Sequence, residues 1–90
     1  LYNRQVYETE LRDGTEVDVD AKSVWRKVER RQGVAANLLP QAAQQYLKQH
    51  YPQARITQIE RDDGKGHIEV DLSQGTEIKF DAAGQVLKVK

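Results

Sequence analysis

The side chains in this sequence best suited to bind another molecule are acidic groups placed around one tryptophan near the N-terminus. Carboxylates recur there at every second position, and such alternation is typical of a β-strand with one face in water. A tryptophan among charges on an open sheet face is a candidate anchor for a protein partner. The predicted binding residues are Glu8, Glu10, Glu16, Asp18, Trp25 and Lys27. The alternative is that another segment of the protein covers Trp25.

Catalytic chemistry is not indicated by the polar residues. General acid catalysis needs a carboxyl group that is desolvated in a pocket, whereas alternation places these carboxylates in water. The serines, Ser23 and Ser73, lie in or beside predicted turns. The histidines, His50 and His67, lack neighbours at the spacing of a zinc or calcium site. We therefore predict no enzyme activity, no metal site and no cofactor.

Composition narrows the classes of partner. The 14 basic residues balance the 14 acidic residues, so the whole chain has no strong field for nucleic acid or an anionic membrane. No apolar run is long enough to span a bilayer. The absence of cysteine excludes disulfides and thiolate metal sites. We expect neither nucleic-acid binding nor membrane insertion.

The elements that position these residues include a segment that occurs twice. Residues 6–29 and 67–90 align without a gap at an offset of 61, and nine of the 24 aligned positions are identical. Each copy has two alternating runs joined by a glycine-containing turn, followed by a third run. This pattern predicts a three-stranded antiparallel meander in each copy.

One helix is predicted between the two copies, from Pro40 to Tyr51. Proline suits the first turn of a helix, and Pro52 ends it. A further strand over 54–62 leads into the second copy. The apolar stripe of the helix follows spacings of three and four and comprises Leu39, Ala43, Tyr46, Leu47, His50 and Tyr51. The predicted fold class is α+β, an antiparallel sheet of about seven strands in two repeated meanders, with the helix packed on one face.

Strict alternation also assigns Trp25 to a face of the sheet. Trp25 and its counterpart Val86 each stand two positions before a lysine, Lys27 and Lys88 respectively. Residues two apart in a strand share a face. We therefore expect all four on the face that points away from the helix.

The turn and core residues of the second half resemble those of the PepSY-like family of small bacterial extracytoplasmic proteins. The motifs are Leu39-Pro40, Tyr51-Pro52, Ile59-Glu60, Glu69-Val70-Asp71-Leu72, Gly75, Glu77-Ile78, Phe80-Asp81 and Gly84. The resemblance implies a fold similar to that of the β-lactamase inhibitory protein, a periplasmic or secreted location, and no catalytic residues. It divides the chain into the trailing meander of an incomplete first repeat, 1–31, and a complete repeat, 32–90, which share one sheet.

The predicted function is an extracytoplasmic protein-binding or inhibitory module that acts through the helix-free sheet face. A small-ligand-binding or purely structural periplasmic domain is the alternative. A broad open face with Trp25 exposed favours the first function. A closed pocket lined by Tyr7, Tyr46 and Tyr51 favours the second. The expected partner of the first is a protein of the cell envelope.

The short helix predicts apolar surface left in water on the first meander. Twelve residues make a helix of about 18 Å, which covers about one meander, and large exposed apolar patches are uncommon on monomers. We expect a segment upstream of Leu1 to cover the rest. A homodimer is the second possibility.

Overall fold

The fold is an antiparallel sheet of seven strands in sequence order, with an α-helix on one face. The computed structural model describes residues 6–12, 14–20, 25–62 and 64–90. The strands are β1 (Val6–Glu10), β2 (Glu16–Asp20), β3 (Trp25–Glu29), β4 (Ile56–Asp62), β5 (His67–Leu72), β6 (Glu77–Asp81) and β7 (Val86–Val89). A 3-10 turn, Ala36–Leu38, precedes the helix α1, Gln41–His50. The predicted α+β fold class is confirmed.

The helix forms where its apolar spacing and its flanking prolines place it. Pro40 and Tyr51 are its boundary residues, so the predicted limits agree with the structure. Within the helix, Ala43 and Leu47 are buried, whereas His50 is exposed and stacks on the ring of Tyr46 at 4.3 Å. The predicted apolar stripe therefore faces the sheet except at His50, whose place in the stripe was predicted wrongly.

The core lies between α1 and the three strands β4, β5 and β6. Tyr46 packs edge-on against Phe80, with ring centroids 5.9 Å apart, and Tyr51 lies beside Tyr46 at 6.3 Å. The buried apolar residues are Leu39, Ala43, Leu47, Ile56, Ile59, Ile68, Val70, Leu72, Ile78 and Phe80. Because none of these belongs to β1, β2 or β3, the main core is built by the second half of the chain.

The two meanders share one strand register at the offset of 61 positions. Val17 pairs with Val28 as Ile78 pairs with Val89, and every described pair of β1 with β2 has its counterpart between β5 and β6. Both third strands also contain a β-bulge at the equivalent place. The extra residue is Arg26 in β3 and Leu87 in β7.

The bulges overturn the predicted face of Trp25. Since each bulge inserts one residue before the lysine, Trp25 pairs with Val19 and Val86 pairs with Phe80. Residues directly opposite each other in a sheet share a face, so Trp25 and Val86 lie on the helix side. The prediction that they share a face with Lys27 and Lys88 was wrong, because strict alternation has no place for a bulge.

The helix side of the first meander is partly exposed to solvent. Val17, Val19 and Val28 are half-buried there, and Leu11, just after β1, is 49% exposed. The expectation of apolar surface in water on this meander agrees with the structure. An upstream covering segment, a homodimer and the division at 31 and 32 stay predictions.

Candidate protein-binding face

Acidic side chains are segregated on the face of the sheet that points away from α1. All ten acidic residues with described side chains occupy strand positions on this face, against four lysines. By contrast, residues 30–59, which include the helix, contain no acidic residue. The ten are Glu10, Glu16, Asp18, Glu29, Glu60, Asp62, Glu69, Asp71, Glu77 and Asp81. The balanced net charge of the chain therefore conceals a strongly negative face.

Strand register aligns these residues into rows across the sheet. One row, which we call the acidic row, consists of Glu10, Glu16, Glu29, Gln58, Asp71, Glu77 and, at the edge, Lys90. It crosses all seven strands and has no positive charge before Lys90. At about 4.8 Å between strands, it is about 29 Å long. The face thus presents closely spaced carboxylates along most of its width.

The neighbouring row contains charges of both signs and two ion pairs. This mixed row contains Asp18, Lys27, Glu60, Glu69, Lys79 and Lys88. Lys27 Nζ lies 3.5 Å from Asp18 Oδ2, and Lys79 Nζ lies 3.7 Å from Glu69 Oε1. The mixed row accordingly neutralises much of its own charge.

Repulsion between the ionised carboxylates of the acidic row lowers the stability of the folded protein. Burial raises the pKa of Asp71 above its ordinary value of 3.8, and the charges of Glu77, Glu69 and Glu60 raise it further. Like charges directly opposite each other, as Asp71 and Glu77 are, destabilise a sheet. Nothing within the acidic row compensates this repulsion before Lys90.

Lys27 has the opposite electrostatic environment. Burial lowers the pKa of its ammonium group, but the charge and hydrogen bond of Asp18 and the charges of Glu29 and Glu60 outweigh burial. The net result is a pKa raised above 10.5. Lys27 therefore stays charged and screens the middle of the mixed row.

The structure brings four of the six predicted binding residues together. Glu10, Glu16, Asp18 and Lys27 line, with Thr9, a shallow depression of about 210 Å³. The backbone of Glu8 pairs with that of Asp18, which places Glu8 at the end of the mixed row, but its side chain lies outside the described residues. Their role in binding stays a prediction.

Trp25 is separated from these residues. It is half-buried on the helix side and packs against the core, so it is not an aromatic anchor on the charged face. Arg61 covers it: the guanidinium lies 4.2 Å from the centre of the ring system. If Trp25 contributes to binding, it does so from the opposite side of the sheet.

Sequence reasoning omitted the half of the acidic face that the second meander contributes. Asp71 and Glu77 are the counterparts of Glu10 and Glu16 at the offset of 61. The repeat was a signal that could have found them. Their alignment into one row with Glu29 could not be found that way, because it depends on the pairing of β3 with β4.

The described residues offer no assembled metal site and no membrane span. In the ranges that the structure describes, no three His, Asp or Glu side chains are grouped to hold a metal ion. Within those same ranges, no helix has the length and apolar character needed to cross a membrane.

Comparison with known proteins identifies the family. A family model described as "Putative beta-lactamase-inhibitor-like, PepSY-like" matches residues 5–88. The chain belongs to this PepSY-like family. Recognition of the family from the turn and core motifs is therefore confirmed. Among curated proteins, no sequence matches the chain significantly.

Three solved structures resemble the PepSY-like chain over its whole length. Two come from Bacteroides vulgatus: one of the DUF2874 family (32% identity, TM-score 0.85) and one of unknown function (30%, 0.90). The third, from Bacteroides thetaiotaomicron, is described as calcium-regulated (33%, 0.88). The chain covers 70%, 71% and 70% of these proteins respectively. All three are described as periplasmic, which confirms the predicted extracytoplasmic location.

Proposed function

We propose that this PepSY-like protein is a non-catalytic periplasmic module that binds a basic protein surface through its helix-free face. The observation that carries the proposal is the acidic row. A partner with lysines or arginines at complementary positions would neutralise carboxylates that, among the described residues, follow one another along the row with no lysine between them before Lys90. Where the bound surface contains an enzyme's active site, binding would inhibit that enzyme.

The cost of the acidic row supports a binding role over a purely structural one. Opposite-charge pairs across a sheet contribute roughly 0.2–1 kcal/mol each, and like-charge pairs oppose folding. The mixed row shows that this sheet accommodates lysines between its carboxylates. Uncompensated local conflicts of this kind are expected where a surface serves function.

The shape of the face favours a protein partner over a small ligand. Small molecules bind in concave, mostly apolar pockets, whereas this face is a broad sheet surface lined by charges. Tyr46 and Tyr51, which the small-ligand alternative placed around a pocket, pack against each other and the core instead. The side chain of Tyr7 lies outside the described residues.

Calcium is the other chemistry that the comparisons raise, because one relative is described as calcium-regulated. Calcium takes six to eight oxygen ligands at about 2.3–2.6 Å. The described part of the chain contains no group of carboxylates arranged to hold it. We therefore do not propose a calcium site, but the binding experiment below is carried out both with and without calcium.

The test compares capture of periplasmic proteins by charge variants of the immobilised chain. The test variant carries Glu16→Gln, Glu29→Gln, Asp71→Asn and Glu77→Gln. The control carries Lys48→Gln and Lys65→Gln, which neutralise two exposed lysines on α1 and in the β4–β5 turn. Extract of the source bacterium is applied at low and high salt, with and without calcium.

We expect a partner that wild type and control retain, that the acidic-row variant loses, and that high salt releases. That partner, once purified, should form a complex of defined stoichiometry with the wild-type chain. Equal capture by the acidic-row variant, with the same salt dependence, would overturn the proposal.

A further inference from the structure

The outer strand β7 is a second surface with binding character. Among the strands that the structure describes, it is the last in the order of the sheet and pairs with β6 alone. Its three apolar residues, Val86, Leu87 and Val89, are 36%, 50% and 43% exposed. An exposed apolar edge strand is a ready template for pairing with another chain.

The backbone of β7 leaves hydrogen-bonding groups directed outward. Lys90 and Glu77 exchange two backbone hydrogen bonds. The nitrogen-to-oxygen distance is 2.8 Å where Lys90 donates and 3.2 Å where Glu77 donates. In an antiparallel pair, hydrogen-bonded and non-hydrogen-bonded residues alternate. The adjacent pair, Ile78 with Val89, is therefore non-hydrogen-bonded. The N–H and C=O of Val89 consequently point away from β6.

The side chains of β7 differ in character on the two faces. Val89 lies opposite the buried Ile78 and so faces the helix side, whereas Lys88 lies opposite Lys79 on the other face. Lys90, two positions after Lys88, shares its face. Three of the four lysines on the negative face thus lie together at this edge. The edge is a positive border on an otherwise acidic surface.

We propose that β7 accepts an extended segment of a partner protein with an acidic–aliphatic–acidic sequence, which pairs with it as an eighth strand. The aliphatic residue would sit opposite Val89, and the two acidic residues would sit opposite Lys88 and Lys90. The outward N–H and C=O of Val89 supply the two central backbone hydrogen bonds. Strand addition of this kind takes affinity from the main chain and specificity from alternate side chains.

Charge repulsion disfavours a second copy of β7 as the occupant. In an antiparallel pair centred on Val89, Lys88 of each copy lies opposite Lys90 of the other. Like charges directly opposite are destabilising. The proposal rests on the outer edge of β7 and its lysines, not on the carboxylates of the acidic row, so its test is independent of the test of the proposed function.

The test uses two blocked hexapeptides and residue-resolved NMR. The acidic peptide, Thr-Glu-Val-Asp-Val-Asp, has the sequence of residues 15–20 and contains the required pattern twice. The control, Thr-Lys-Val-Lys-Val-Lys, keeps the strand propensity and reverses the charge. Each is titrated to millimolar concentration into the isotope-labelled 90-residue chain. Only the acidic peptide should shift the backbone amides of Val86–Val89.

Two variants separate the contribution of the backbone hydrogen bonds to peptide binding from the contribution of the lysine charges. Val89→Pro removes the outward N–H without breaking a bond to β6, a position at which an edge strand tolerates proline. Loss of that hydrogen bond should weaken binding about fivefold. The double variant Lys88→Glu, Lys90→Glu should reverse the preference, so that it binds the lysine peptide in place of the acidic one.

The remaining outcomes overturn the proposal. If the lysines serve only to keep edges apart, neither peptide will shift the amides of β7. Equal shifts with both peptides, or shifts confined to other strands, would show that the edge does not select acidic segments. Self-association of the chain that Val89→Pro abolishes would make a second copy the occupant.

Discussion

Arg61 contacts both the backbone and the ring of Trp25, and so links the first meander to the rest of the sheet. The Nε and Nη2 groups of Arg61 both donate to the carbonyl oxygen of Trp25, at 3.2 and 2.8 Å. The same guanidinium lies 4.2 Å from the centre of the Trp25 ring system. One side chain of β4 thereby holds both the backbone and the side chain of the residue at which β3 begins.

Replacement of Arg61 tests how much this contact stabilises the fold. Arg61→Ala should lower the free energy of unfolding by about 1–3 kcal/mol, because charged hydrogen bonds and a cation–π contact are lost together. Arg61→Lys should recover only part of the loss, since an ammonium cannot donate two bonds in fixed geometry. Trp25 is the single tryptophan, so its fluorescence during urea unfolding reports on this contact. Lys48→Ala, an exposed change on α1, is the control and should have little effect.

Leu47 is expected to be among the most sensitive positions for stability. It is only 7% exposed and belongs to the core between α1 and the sheet. Leu47→Ala should cost about 2–5 kcal/mol, from lost apolar burial and the cavity left behind. Urea titration measures the change. A loss below about 1 kcal/mol would show that the core closes around the gap.

Gly84 and Gly75 form a matched pair for a test of close packing. Both have positive φ, +91° and +99°, so alanine is strained at either site. At Gly84, however, an added Cβ would lie 2.8 Å from the backbone nitrogen of Ala43 and 3.0 Å from Pro40 Cβ, whereas nothing lies within 4 Å at Gly75. Gly84→Ala should therefore destabilise the protein clearly more than Gly75→Ala. Equal losses in thermal melts would contradict contact between this turn and the start of α1.

Asp71→Asn should stabilise the protein at neutral pH. The folded-state pKa of Asp71 is raised above 3.8, so the folded protein binds this proton more tightly than the unfolded chain does. Stability from this group is greatest at acid pH and is lost as pH rises through the folded pKa. The gain from Asp71→Asn should thus be present at pH 7 and should shrink towards about pH 4.

Asp18→Asn is the control for that pH experiment. It makes the same chemical change on the same face, but it removes the carboxylate paired with Lys27 at 3.5 Å. It should therefore destabilise slightly at pH 7, by roughly 0.2–1 kcal/mol. Urea midpoints at both pH values measure the two variants, and changes of the same sign would contradict the distinction between the two rows.

The amino-acid sequence by itself determined the elements and their order. Period-two alternation and turn glycines such as Gly75 located the strands, because a strand alternates its side chains between two faces. Three-and-four spacing between Pro40 and Pro52 located α1. These signals are local. The repeat at an offset of 61 allowed the strands predicted in one meander to be predicted at the equivalent positions of the other.

Only the tertiary structure decided which side chains share a surface. One extra residue, Arg26, moves Trp25 to the helix side, and no propensity in β3 marks that insertion in advance. The pairing of β3 with β4 then brings Glu29 into one row with Asp71, although 42 positions separate them in the chain (71 − 29). Register depends on packing between strands distant in sequence, and for that reason the acidic row emerges only when the sheet is assembled.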